Sequence, residues 1–385
     1  MLTNNYGLLS FDFPRAKSLM GLMTMAVMLP LAACSGASAQ QGSSPQGTSP
    51  AAPAVTAQSP AAPPAVPQQP APEFSVWLAA LRADALKQGI SQPTVSAALG
   101  NLTPIQRVVE LDRSQPEFTI TLRQYLERAV SAARVNQARA KYAEHRKLLD
   151  EIGRKYGVQP RFIVALWGIE TNFGSNTGGF SVVQALATLA YDGRRSDYFR
   201  GELMNALKII DAGHITSAAM RGSWAGAMGQ NQFMPSSFLS YAQDYNGDGR
   251  RDIWTTTADV FASTANYLKQ SGWRSEETWG REVKLPANFD AQLKGLMPTE
   301  PPPGCRANRF ISARKPLAEW AKLGIRRTDG GELPHRDIQA SLALPEGGQG
   351  PALLVYENFR TTLKWNCSIS FATAVGTLAD RIDPP

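Results

Sequence analysis

From Phe74 to Ala143 apolar side chains recur at helical spacing. Trp77, Leu81, Ala85 and Leu86 fall on one stripe, Tyr125, Ala129, Ala132, Ala133 and Val135 on a second, and a third runs from Lys141 to Ile152. No sustained period-2 alternation interrupts them, while Thr103-Pro104 and Gln115-Pro116 read as turns or helix starts. Residues 73–277 are therefore expected to be a helical domain. From 278 to 362 Pro and Gly become frequent, and short apolar pieces such as Ala352 to Tyr356 look like strands. That segment is expected to be a small inserted α/β lobe. Residues 363–385, with a helix over about 367 to 381, should return to the main core. The fold class this predicts is mainly α (α+β).

One predicted helix differs from the others. Pro160 suits a first turn, and Phe162, Ile163, Val164, Ala165, Leu166, Trp167 and Ile169 follow, apolar on every side. Such a helix belongs inside a domain. Between Arg161 and Asp192 its one charge is Glu170. Leu166, Trp167 and Phe173 stand three or four residues away, so helical spacing sets large apolar groups beside the carboxyl. Desolvation raises a carboxylic acid's pKa, and a Glu kept protonated near neutrality can act as a general acid. The structural alternative is a Glu at an exposed helix end, tied down by a salt bridge.

The N-terminal region reads as an address. Arg15 and Lys17 precede an uncharged run from Ser18 to Ala33, at about 16 residues short for a membrane span and suited to a signal-peptide core. It ends Leu31-Ala32-Ala33-Cys34, which resembles the lipobox of bacterial lipoproteins and implies cleavage before Cys34 and lipidation of its thiol. A plain secretory signal cleaved after Ala37-Ser38-Ala39 is the alternative. Ser35 after the Cys, by the same analogy, favours the periplasmic face of the outer membrane. Residues 34–72 form a tether. The stretch 37–72 has no charge and holds nine of the 27 Pro, too little apolar surface to fold and a composition that extends. At ~3.1 Å per residue it spans at most ~110 Å. Losing one acid and two bases with residues 1–33 takes the formal charge from +7 to +6, all of it on the body. A cationic body suits an anionic partner. No basic run with interleaved aromatics supports nucleic acid.

Two further segments carry chemistry. Gly222-Ser223-Trp224-Ala225-Gly226-Ala227-Met228-Gly229 is dense in small residues, and Gln230-Asn231-Gln232-Phe233-Met234-Pro235-Ser236-Ser237 follows. Small residues let backbones and ligands approach closely. Polar tips on an apolar wall suit a sugar, although a tight helix crossing has the same composition. Four motifs in order, GIETNFG (168–174), ALATLAYDGRRSDYF (185–199), GSWAGAMGQNQFMPSS (222–237) and ANYLKQSGW (265–273), together resemble the membrane-bound lytic murein transglycosylase B family. The resemblance covers about residues 74 to 383.

That resemblance implies a lysozyme-like helical core and a lyase that cleaves the β-1,4 bond between N-acetylmuramic acid and N-acetylglucosamine in peptidoglycan, leaving 1,6-anhydromuramyl ends. Glu170 matches the family's catalytic acid and base, and no second Asp or Glu occurs in 168–174 or 222–237. Asp192 and Asp197 remain formal candidates for a second carboxylate. By the same motifs Ser223 and Gln232 are implied to bind sugar near the cleavage point, and Phe233 and Met234 to form an apolar wall. Arg194, Arg195 and Tyr198 are implied to meet substrate peptide or muramyl carboxylates; a solvated arginine pair is the plainer alternative. Tyr267 and Asn366 are implied to line the cleft. Three departures stand out: Trp365 and Phe371 replace usual tyrosines, and Asn231 a usual glycine. Sugar stacking would survive the first two changes, whereas a phenolic hydrogen bond would not. A non-catalytic peptidoglycan-binding lipoprotein and a hydrolytic muramidase are the competing functions. The expected partners are glycan strands and, through Cys34, a membrane, with no nucleic acid; a monomer is expected.

Asp244 to Asp252 matches the first part of an EF-hand loop, with oxygen side chains at positions 1, 3, 5 and 9 and Gly at 6. The family has such a site here, which implies calcium held by Asp244, Asn246, Asp248, the Arg250 carbonyl and Asp259 within 244–259. An ion-free Asx turn is the alternative. The ion would be structural; the chemistry itself implies no cofactor. With Cys34 lipidated, Cys305 and Cys367 remain, either as a disulfide outside the cytoplasm or as two buried thiols.

Overall fold

The computed structural model describes residues 73–114, 120–287, 289–300 and 302–383. The lipobox with Cys34, the tether and the Gln115-Pro116 turn lie outside them. The described chain begins with α1 (Phe74–Lys87), α2 (Gln92–Leu99), α3 (Gln106–Arg113), α4 (Leu122–Ala129), α5 (Ala132–Glu144) and α6 (Arg146–Tyr156). Then come α7 (Pro160–Thr171), β1 (Phe180–Ser181), α8 (Val182–Asp192), α9 (Ser196–Asp211), β2 (Arg221–Gly222), α10 (Pro235–Tyr241) and α11 (Thr257–Gln270). The lobe contributes β3 (Gly280–Lys284), α12 (Asp290–Lys294), β4 (Lys315–Pro316), α13 (Leu317–Lys322), β5 (Arg326–Arg327), β6 (Gln339–Ala343) and β7 (Ala352–Val355). Helices α14 (Glu357–Trp365) and α15 (Ile369–Ile382) complete it.

Local signals place most helix ends. Ser91, Ser131, Ser181 and Ser368 each accept a backbone N–H at the start of a helix, and Thr121 with Gln124 forms a full capping box. Gly157 ends α6 in the left-handed region. The stripe expected from Tyr125 to Val135 is broken, because Ser131 starts a new helix after the chain turns at Val130. The first stripe is also shifted: Leu78, Leu81 and Ala85 are buried, while Leu86 is 40% exposed.

Helix α7 is the centre of the main core. Every residue from Arg161 to Gly168 is buried, and α5, α6, α11 and α15 pack around it. Each large apolar side chain placed there contributes about 1.5–3 kcal/mol relative to exposure. The lobe has its own core, built from Val283, Leu317, Trp320, Ile325, Leu342 and Leu354. Its antiparallel sheet runs β4-β6-β7-β3-β5, with Leu354 opposite both Leu342 and Arg281. Helix α14 starts inside the segment expected to belong to the lobe, yet Phe359 and Leu363 join the main core. The chain thus leaves the lobe after Tyr356, six residues before the expected boundary at 362. Cys305 and Cys367 form a disulfide with a Cα–Cα distance of 5.5 Å, joining the segment before Arg306 to the start of α15. Among the described residues no helix is long and apolar enough to cross a membrane.

Candidate active site

Glu170 stands next to last in α7, followed by Asn172, Phe173 and Gly174 at φ 48°, 59° and 82°. Among the described residues the non-glycine positions with positive φ are Asn172, Phe173 and Gln232, all within the motifs quoted above. Each such conformation costs of order 1–3 kcal/mol and persists where the surroundings over-determine it. Two features impose it here. Gly168 has no Cβ, and one would meet the Phe173 ring at 2.7 Å, so the ring folds back over α7. Thr171 Oγ1 accepts the Gly174 N–H at 3.1 Å and donates to Gln230 O at 3.0 Å, joining this turn to the 222–233 segment. Trp167 Nε1 donates to Gln230 Oε1 at 2.8 Å, and Gln230 Nε2 to Trp254 O at 2.8 Å.

The 222–233 segment doubles back on itself. Gly222 and Phe233 both form bridges with Met228. Gly229, at φ 63°, lies where a Cβ would meet Ile253 O at 2.7 Å. Ser223 is buried, and its Oγ accepts the Ala227 N–H at 3.0 Å, which leaves its own hydroxyl proton to donate. Gln232 directs both amide hydrogens to backbone, at Gly229 O (2.9 Å) and Thr177 O (3.1 Å), so its Oε1 is the group left to accept. Asn231 fills the usual glycine position by donating to Val260 O and Thr264 Oγ1 at 2.8 and 2.7 Å.

A wall of aromatics closes on Glu170. Trp365 packs on Phe233 at 5.2 Å and on Tyr267 at 4.7 Å between ring centroids. Its Nε1 donates to Glu170 Oε1 at 2.7 Å. This indole, expected as a stacking platform, is a hydrogen-bond donor to the carboxyl. Burial pushes the Glu170 carboxyl up to about 8, and the Trp365 N–H pulls in the opposite direction. No charged neighbour contributes to that shift. Of the formal second carboxylates, Asp192 pairs with Arg113 at 2.7 Å and Asp197 is exposed at the start of α9.

The other expected site residues divide. Met234 is half-buried beside Phe233 and precedes α10. Tyr267 directs its hydroxyl away, to Lys364 O at 2.7 Å, and burial raises its pKa further. The Asn366 Oδ1 is buried without a hydrogen-bond partner among the protein's groups. Arg194 and Arg195 are neither free nor merely solvated: both pair with buried Asp112, Arg194 at 3.2 Å and Arg195 in direct contact. That partner lies 82 and 83 residues away in sequence, where no spacing rule points to it. Tyr198 hydrogen-bonds Glu202. Glu202, which the motifs did not single out, accepts from Ser236 N and Oγ at 2.9 and 2.6 Å and anchors the start of α10.

The acidic loop is self-satisfied. Asp244 accepts N–H groups from Gly247, Asp248 and Gly249, while Asp259 accepts those of Tyr245 and Asp252. The donors are all oxygens, which suits calcium, but as placed they face backbone amides. Among the described residues no three acidic, imidazole or thiol groups converge as a metal cage. A cavity of about 720 Å³ lies at the other end of the α7–α15 pair, beside Trp279, Asp380 and Arg381. Its charges pair with protein groups, among them Arg123–Glu282 and Arg327–Asp329.

A half-buried carboxyl at a helix end, bonded to an aromatic wall in a helical core with an inserted lobe, defines a class. The Transglycosylase SLT domain family matches residues 73–380, and the chain belongs to it. The chain is 33% identical over 248 residues to membrane-bound lytic murein transglycosylase B of Escherichia coli (strain K12), covering 62% of this chain and 61% of that protein. It thus spans about three fifths of the length of that curated relative. Among solved structures, SltB3 from Pseudomonas aeruginosa in complex with NAG-anhNAM-pentapeptide is 47% identical, with TM-score 0.73 over 80% of this chain and 78% of that one. The Escherichia coli lytic transglycosylase Slt35 in complex with calcium is 27% identical, with TM-score 0.64 over 80% and 92%. Transglycosylase chemistry in this family needs no cofactor.

Proposed function

We propose that the protein is a lytic murein transglycosylase acting on peptidoglycan, with Glu170 as its acid and then its base. The observation that carries this reading is a single carboxyl at the end of α7, hydrogen-bonded by one indole N–H, whose pKa burial raises to about 8 against the pull of that N–H and with no contribution from a second carboxylate. Glu170 gives its proton to the glycosidic oxygen as the C1–O bond breaks, and the bonding electron pair leaves with that oxygen. The carboxylate then takes the proton of the muramyl C6 hydroxyl as O6 bonds to C1. Glu170 is regenerated, no water is consumed, and the new end is a 1,6-anhydro sugar. The sugar's own 2-acetamido group stabilises C1 between the two steps, where an ordinary glycosidase would place a second carboxylate. Ser223 as donor and Gln232 Oε1 and Asn366 Oδ1 as acceptors supply polar groups for the sugar; Phe233, Met234 and Tyr267 shape the wall. Arg194, Arg195 and Tyr198 keep exposed surface at the α8–α9 turn for the peptide or muramyl carboxylate, beyond their bonds to Asp112 and Glu202.

The name of the Escherichia coli relative and the sequence around Cys34 support a lipoprotein tethered by residues 34–72 at the periplasmic face of the outer membrane. A Cys34→Ser chain should leave the membrane fraction. The 244–259 loop is a structural calcium site in this reading, formed when Asp244 and Asp259 exchange amide bonds for an ion. Calcium should then raise the Tm, whereas an unchanged Tm would remove the ion from the account. The test of function is digestion of purified sacculi. Wild type should release soluble muropeptides, and Glu170→Gln should bind sacculi and release none. If wild type itself binds without turnover, the protein is a binding module.

A further inference from the structure

We infer that Trp365 is a positioning residue that assigns the acid proton of Glu170 to Oε2, leaving Oε1 as the permanent acceptor. This rests on the reading of Glu170 as general acid. An indole N–H donates and never accepts. With Trp365 Nε1 at 2.7 Å, Oε1 is an acceptor in both protonation states, and because the carbonyl oxygen of an acid accepts better than its hydroxyl, the proton of the neutral acid sits on the other oxygen. A phenol at this position could donate or accept and would leave the choice open. Once Oε2 has released its proton, the Trp365 bond becomes charge-assisted and strengthens. The indole thereby favours the carboxylate needed for the second step and opposes the upward pull of burial.

The backbone around Trp365 is tied at several points. Tyr267 Oη donates to Lys364 O at 2.7 Å, and Lys364 Nζ to Ser271 O at 2.6 Å. Asn366 N–H closes α14 on Thr362 O, and Cys367 is bonded to Cys305. The ring has Phe233 and Tyr267 against it. Among the titratable groups on or beside the elements around this pair are Tyr267 on α11, Lys364 on α14, and His145, which packs on Trp167. Burial pushes the Tyr267 hydroxyl up and the His145 imidazole down. Asp380 on α15 and Arg161 on α7 lie at the opposite end of that helix pair. None of these contributes to the Glu170 shift.

The pH profile of kcat/KM on soluble muropeptides tests the assignment. Trp365→Phe keeps a ring but removes the donor. It should lower kcat by roughly tenfold to a hundredfold and move the alkaline limb up by about one pH unit. Trp365→Tyr should recover part of both. A rate loss in a folded Trp365→Phe with the limb unmoved would reduce Trp365 to packing and overturn the inference. A second readout needs no Trp365 variant to fold: the Trp365 indole ¹H–¹⁵N signal should titrate with Glu170 in the wild-type chain and stop doing so in Glu170→Gln. An indole signal that ignores pH in wild type would also overturn it. Turnover by Glu170→Gln would instead sink the general-acid reading, whatever the indole does.

Discussion

Glu170, half-buried at the C-terminal end of α7, and Glu202, buried on α9 against the start of α10, both border the main core, and burial raises both pKa values. Their surroundings differ in ways that separate structure from chemistry. Glu202 receives Ser236 N and Oγ as well as Tyr198, and it faces the start of a helix, where negative charge is favoured. Glu170 receives one donor, Trp365, and sits at a helix end, where negative charge is disfavoured. The backbone around Glu202 is relaxed, whereas Glu170 is followed by three successive left-handed residues. A buried carboxyl with a full set of donors is a fastener. One with a single donor on one oxygen is equipped to move a proton.

Substitution at the two glutamates should therefore diverge most. Glu170→Gln should lower turnover by about 10²–10⁴-fold or more while sacculus binding persists. Glu202→Gln should keep most activity and lose about 1–3 kcal/mol of stability, read by urea unfolding. Loss of turnover in a folded Glu202→Gln would erase the contrast. The disulfide comes next: Cys305→Ser with Cys367→Ser should cost about 2–4 kcal/mol, seen as a lower unfolding midpoint.

The pH dependence of stability sharpens the same comparison. Glu170's folded pKa of about 8 exceeds its ordinary 4.5, so between those values the folded state holds the proton that the unfolded state has released. Its contribution is neutral below about 4.5 and becomes increasingly destabilising as pH rises toward 8. Glu170→Gln should thus raise the Tm more at pH 8 than at pH 4, and an equal effect at both would contradict the shift. The smallest effect is expected at Arg194→Ala: about 1 kcal/mol or less of stability, because this guanidinium is 58% exposed and Arg195 still pairs with Asp112.

Glu170 was readable from sequence because a lone charge in an apolar helix is a local pattern. The α7 start at Pro160 and the strand at Ala352–Val355 were readable for the same reason. Trp365 lies 195 residues from Glu170, and the Asp112–Arg194 pair is similarly remote. Periodicity reports which face a residue occupies, and says nothing about its partner across the fold. Helix α14 was read into the lobe because its polar residues dilute a stripe of which Phe359 and Leu363 are the buried part.

In the proposed mechanism one carboxyl cleaves the glycan without water. Digestion of sacculi in H₂¹⁸O, with mass analysis of the released muropeptides, tests it most directly. Anhydro ends are expected, lighter by one water than hydrolysed ends and free of ¹⁸O. Reducing ends carrying one ¹⁸O would mean that a water, and not the C6 hydroxyl, attacks C1, and would contradict that mechanism.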